Sequence, residues 1–190
     1  MSSDTETLLI TPPGFRSAEV ARFLWQMDDQ RRALLAGTRG LTIEELSWQP
    51  APGVNTIGML LAHIAVAEAH LAQIGLLGEA RGHPEDVTGL TAKEEGMPLA
   101  ADARPSPALD GKDLAYFDDL LARARAHTRK LALDLMDADL DRKVARTRPD
   151  GSKRVSNVGW MLYHMLEHEA GHRAQIAVLR HLYRATAATR

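Results

Sequence analysis

The strongest constraint on the fold lies near the C-terminus, in the unbroken stretch from Asn157 to Arg184. It reads N-V-G-W-M-L-Y-H-M-L-E-H-E-A-G-H-R-A-Q-I-A-V-L-R-H-L-Y-R. It contains no proline, and its apolar residues recur at helical spacing, so one long helix is predicted. Four of the chain's eight histidines lie on it: His164, His168, His172 and His181. The first three follow one another at every fourth residue. Each such step turns a helix only about 40° past a full turn. His168 and His172 therefore share a face, with Cβ atoms about 6 Å apart, and two imidazoles at that separation can bind one metal ion.

Composition bounds what such a helix can belong to. The chain has 190 residues, 45% hydrophobic and 25% charged, the proportions of an ordinary globular domain with a real core. A single domain over residues 1–190 is expected. A formal net charge of -2 gives no global pull toward nucleic acid or an anionic membrane surface. Only 5% of residues are aromatic, and Ala, Leu, Arg and Glu dominate, which favours helices. With no cysteine there is no disulfide framework, no thiolate-bound zinc and no cysteine nucleophile. The first eleven residues carry Asp4 and Glu6 and lack the basic and apolar regions of a signal peptide. No apolar run approaches the ~20 residues of a membrane span. A cytoplasmic location is expected.

Taken in order, residues 1–16 read as a leader punctuated by Pro12, Pro13 and Gly14. Ser17 caps a first helix from Ala18 to about Ala36, ended by Gly37 or Gly40. The connector from Leu41 to Val54 holds a short turn capped by Thr42. Trp48, beside a segment with Pro50 and Pro52, reads as packing at a bundle end. Asn55 or Thr56 caps a second helix that runs to about Leu77 and carries His63, Glu68 and His70. Residues 80–110 hold four prolines and no periodicity, so they form a lid, a binding loop or a disordered segment. Asp110 caps a third helix from Gly111 to about Met136. Pro149-Asp150-Gly151 marks a turn, with a small hairpin or a bare loop around it. Ser156 or Asn157 caps the histidine helix. Four amphipathic helices with one long excursion between the second and third give an all-α four-helix bundle. In a bundle, inward side chains of the second and fourth helices can meet.

The segment His168-Glu169-Ala170-Gly171-His172 matches H-E-x-x-H, the zinc-protease pattern in which the Glu is a general base. Neither known completion is present. No Asp or Glu follows Glu169, and the positions that would hold the glycine and third histidine of a metzincin are Gln175 and Val178. A third ligand must come from upstream, and His63, mid-helix among Leu60, Leu61, Ile64 and Ala67, is the candidate. Three neutral imidazoles with open positions are a catalytic rather than a structural arrangement.

The segment Asn55-Thr-Ile-Gly-Met-Leu-Leu-Ala-His63-Ile-Ala-Val-Ala-Glu68, together with His168-Glu-Ala-Gly-His172-Arg-Ala-Gln175-Ile176, resembles the DinB/YfiT-like superfamily of metalloenzymes. The lead-in Leu41-Thr-Ile-Glu-Glu-Leu-Ser-Trp48 is similar too, and the resemblance spans roughly residues 18–184. It implies an up-down four-helix bundle, often a homodimer, with one divalent metal on His63, His168 and His172. It further implies a small-molecule substrate and, in part of the family, a low-molecular-weight thiol such as mycothiol, bacillithiol or glutathione as cosubstrate. Zinc or nickel is the expected ion. The function expected is that of a thiol-dependent transferase or isomerase. The alternatives are a hydrolase using metal-bound water and a non-catalytic metal-binding or stress-response protein.

The remaining polar residues have a bland reading beside a functional one. His164 shares the histidine stripe and is either a ligand or a packing residue. His70 and His83 are further possible ligands, whereas His127 and His181 read as surface residues. Glu68 and Glu169 each hold an imidazole or lie on a solvated face. Arg142, Lys143, Arg146, Arg148, Lys153 and Arg154 surround the expected hairpin as a solvated surface or as a dock for a carboxylate-bearing substrate or thiol. Trp160 and Tyr163 read as core or dimer contacts. No catalytic acid or base is assigned by the sequence.

Overall fold

Capping side chains set where the helices begin. Ser17 Oγ accepts from the Val20 N–H and starts α1 (Ala18–Thr38). Thr42 and Glu45 exchange side-chain and backbone hydrogen bonds, a capping box for the short α2 (Ile43–Ser47). Thr56 caps α3 (Ile57–Ala72), which runs on through a π-helical turn (Gln73–Leu77) and stops where Gly78 turns left-handed at φ 79°. Asp113 caps α5 (Leu114–Ala132) by accepting from the Tyr116 N–H. Asn157 Oδ1 accepts from the Trp160 N–H at the start of α6 (Val158–Ala187). The structure is a computed structural model and describes residues 8–97, 99–147 and 151–187.

The described residues are mostly helical, as the all-α class expected from the sequence requires, and among them only one small hairpin interrupts the helices. The central helix α3 packs against α5 on one side and α6 on another, and α1 packs against α6 and α5. Close approach of α3 to α5 depends on Gly58, where an added Cβ would lie 2.9 Å from the Phe117 ring. Central placement also accounts for the composition of α3. With its π turn, Ile57–Leu77 is long and apolar enough for a membrane span, contrary to expectation, but most of it is buried inside the protein.

Two other boundaries differ from expectation. The third long helix starts at Leu114, not Gly111, because Gly111 sits at φ 67° and Asp110 closes a 3-10 turn (Pro107–Leu109) instead. It ends at Ala132, short of Met136. The segment 80–110 is ordered in its described residues. It contains α4 (Glu85–Thr88) and buries Thr88, Leu90, Glu95 and Leu109. Gln73 holds it by bonding both backbone groups of His83. Gln49 and Gly53 hold it by bonding the Ala103 carbonyl. Strand β1 (Lys143–Thr147) pairs antiparallel with β2 (Lys153–Asn157), so the hairpin alternative is the one adopted. Pro149 and Asp150 of the expected turn lie outside the described residues, as do Pro98 and residues 1–7 of the leader.

The core is divided. One apolar cluster includes Leu34, Leu60, Leu61, Phe117 and Ile176, and a second includes Leu24, Met27, Ile74, Met161 and Leu162. Between them each long helix contributes one buried charge: Arg31 from α1, Glu68 from α3, Arg125 from α5 and Glu169 from α6. Arg31 bridges the two glutamates, 2.8 Å to Glu68 and 2.7 Å to Glu169. Arg125 does the same at 2.7 and 2.8 Å, and also reaches Asp28 at 2.9 Å. Burial pushes the Glu68 carboxyl upward, but the guanidinium groups of Arg125 and Arg31 outweigh it and hold Glu68 below its ordinary range.

Candidate metal centre

The helix α3 presents His63 to the face of α6 that carries His168 and His172. His168 Nε2 lies 3.1 Å from His63 Nε2 and 3.1 Å from His172 Nε2. The three ligand atoms all fall within 4.8 Å of one another. Nitrogens bonded to one ion at ~2.0–2.1 Å, at angles between octahedral and tetrahedral, lie about 2.9–3.4 Å apart. The spacing thus fits a shared divalent ion. Each ring is half-buried, with 22% of the His63 side chain exposed, so solvent reaches the cluster.

Two of the rings are oriented from behind. His63 Nδ1 is 2.7 Å from the carboxylate of Glu95, whose side chain is only 6% exposed. His172 Nδ1 is 2.9 Å from Gln175 Oε1. These contacts direct both Nε2 atoms toward the common point, as the outer partners of metal-binding histidines do. Burial, followed by the neighbouring His172 and His63, pushes His168 down to about 3. Burial also lowers His172. Both are therefore neutral at physiological pH, the form that can donate a lone pair.

The glutamates of the sequence motifs take neither of their expected roles. Glu68 and Glu169 are not imidazole partners and are not solvated; both are consumed by Arg31 and Arg125 in the buried layer. Glu169 holds the place of a zincin base but is buried against Arg31 and Arg125, so H-E-x-x-H here is a helix-face coincidence. His164 stays outside the trio. It stacks on Trp160 at 4.5 Å, and its Nδ1 contacts Glu167. His70 contacts Arg146, and His83 contacts Glu85. His181 is exposed as expected, but His127 is half-buried, and burial lowers its pKa. Tyr163 is 47% exposed and so is no core residue, and Trp48 packs edge-on against Tyr183.

Sequence reasoning missed Glu95, Arg31 and Arg125. Arg31 and Arg125 left a signal, since each interrupts an apolar helical stripe: Met27 and Leu34 flank the first, Leu121 and Ala132 the second. Glu95 left none, because nothing in its aperiodic segment marks which residue turns inward. Of the basic cluster, Arg142 is structural, donating to the Gly75 and Leu76 carbonyls at the end of the π turn. Arg148 lies outside the described residues.

Comparison with known proteins bears on the family and the fold. The family model of the DinB superfamily matches residues 26–176. A DinB-like protein from Bacillus cereus ATCC 10987, known from a crystal structure, superposes with a TM-score of 0.56 at 22% identity, covering 85% of this chain and 91% of that one. No curated protein matches the chain.

Proposed function

This chain belongs to the DinB superfamily, and from that premise we propose that it is a metal-dependent enzyme. In this reading His63, His168 and His172 hold one zinc or nickel ion, and a low-molecular-weight thiol is the cosubstrate of a transferase or isomerase reaction. The scaffold is an up-down four-helix bundle. The protein works on a small molecule in the cytoplasm as a homodimer. Bound to three neutral imidazoles, such an ion would supply a Lewis acid able to hold a thiol as thiolate at neutral pH.

The observation that favours activation at the metal over activation by a side-chain base is the engagement of the nearby carboxylates. Among the described residues, Glu95 is taken up by His63, Glu169 by Arg31 and Arg125, and Glu167 by His164. Activation of water by a side-chain base would need one of these to be free. A thiol or a water ionised by coordination needs no base, and the thiol is the nucleophile proposed here. What the protein does is orient His63 and His172 through Glu95 and Gln175, keep His168 neutral by burial, and leave one side of the cluster open.

Elemental analysis of protein prepared without chelator should find one divalent ion per chain. His63→Ala, His168→Ala and His172→Ala should each abolish tight binding, and His181→Ala should not. In the cobalt-loaded protein, small cellular thiols should add a thiolate absorption that grows with pH until ionisation is complete. If azide perturbs the spectrum but no thiol does, the metal-dependent hydrolase becomes the better account. If neither reaches the metal, the protein is a non-catalytic metal binder.

A further inference from the structure

The hairpin holds a charge arrangement that the fold alone does not require. The β1–β2 register places Arg146 directly opposite Arg154. Opposed residues project to one face with Cβ atoms about 4.5–5.5 Å apart, and like charges there repel. Among the described residues neither arginine meets a carboxylate. Each rests on a ring instead: Arg146 Nη2 lies 3.5 Å from His70 Nε2, and the Arg154 guanidinium sits 4.3 Å over the Trp160 ring. Burial and the Arg146 charge keep His70 from gaining a proton, so it supplies no competing cation.

Both arginines stand at one end of the α3–α6 seam that holds the histidine trio. The Trp160 ring stacks on His164 at 4.5 Å, and the His164 ring lies 6.0 Å from that of His168. Seven residues of α3 separate His70 from His63, and eight residues of α6 separate Trp160 from His168. At 1.5 Å per residue, both spans are about 10–12 Å. A cavity of about 540 Å³ adjoins Arg154, lined also by Lys143, Ser156, Asn157, Trp160 and the carboxylate-bearing Asp141. That volume suits part of a small molecule.

We infer that Arg146 and Arg154 form a two-guanidinium clamp for an oxyanion, a carboxylate or phosphate carried some 10–12 Å from the atom that reacts at the histidines. The clamp rests on the thiol reading above only in assigning that oxyanion to the cosubstrate or substrate. Arg142 takes no part, being bound to the π turn. Lys153 projects from the opposite face of the hairpin.

The test has two readouts. The protein as purified is titrated with glutarate and, separately, with inorganic phosphate, following the Trp160 indole N–H by NMR, assigned with Trp160→Phe. A saturable shift is expected. Arg146→Gln and Arg154→Gln should each weaken it roughly tenfold, and Lys153→Gln should not change it. The tighter of the two anions identifies the chemical source. No saturable shift, or a shift that both arginine variants retain, overturns the clamp. The second readout is thiolate absorption in cobalt-loaded protein. There 8-mercaptooctanoate should bind roughly tenfold more tightly than 8-mercaptooctanol, an advantage lost in both arginine variants. Equal affinities overturn the placement of the clamp over this site. Silence of both thiols beside an intact indole shift upholds the clamp and rejects the thiol reading.

Discussion

Glu95 shows how much one side chain can decide. Its carboxylate reaches His63 from a segment with no sequence periodicity, and it sets which imidazole nitrogen faces the cluster. Glu95→Gln should lower metal affinity about 10–100-fold, read by competition with a chromophoric chelator, while leaving the helical circular dichroism unchanged. His164→Ala should leave affinity intact, because that ring is 6.0 Å from His168 and bonded to Glu167 instead. His168 makes a separate pH prediction. Its folded pKa, about 3, lies far below the ordinary 6.5, so protons favour the unfolded chain. Its contribution to stability is complete above pH 6.5 and falls steadily as the pH drops toward 3. Urea titrations of the metal-free protein across that range should show the slope, and His168→Gln should reduce it, the remainder coming from the other histidines lowered by burial.

At the scale of the elements, the four long helices are keyed together by one charge each. Removing one glutamate leaves both arginines sharing the other, so the buried layer carries one uncompensated positive charge. Glu169→Gln or Glu68→Gln should therefore destabilise the protein by about 3–5 kcal/mol in chemical denaturation. Replacing all four together by apolar residues of similar volume (Arg31→Met, Glu68→Leu, Arg125→Met, Glu169→Leu) should cost far less, because the desolvation of the charges disappears with them. A collapse of stability in that fourfold variant would mean that the network is itself a net stabiliser. Glu68 titrates in its own window. Its pKa is depressed below 4.5, so its contribution is present above pH 4.5 and is lost only as the pH falls below that value. Glu68→Gln should remove its share of this acid-side loss while leaving the slope above pH 4.5, to which His168 and the other histidines lowered by burial contribute.

For the whole molecule, an ion bound by residues from two helices couples binding to folding. His63 comes from α3 and the other two histidines of the cluster from α6, so an ion held by all three would tie those helices together. Metal at about a hundred times its dissociation constant should raise unfolding stability by roughly 2.7 kcal/mol. Differential scanning calorimetry with and without chelator would read this as a shift in Tm, and no shift would place the histidines outside any metal site. The sequence by itself determined the helical class and most caps, because periodicity and capping are local: Ser17, Thr42 and Thr56 act within three residues of themselves. It also carried the His168–His172 pair, since one helical turn places them. Only the tertiary structure decided that His63 meets that pair, that Glu95 stands behind it, and that Glu68 and Glu169 face inward to arginines. Those contacts join residues from 32 to 138 positions apart. Their geometry follows from how four helices pack, which no local pattern encodes.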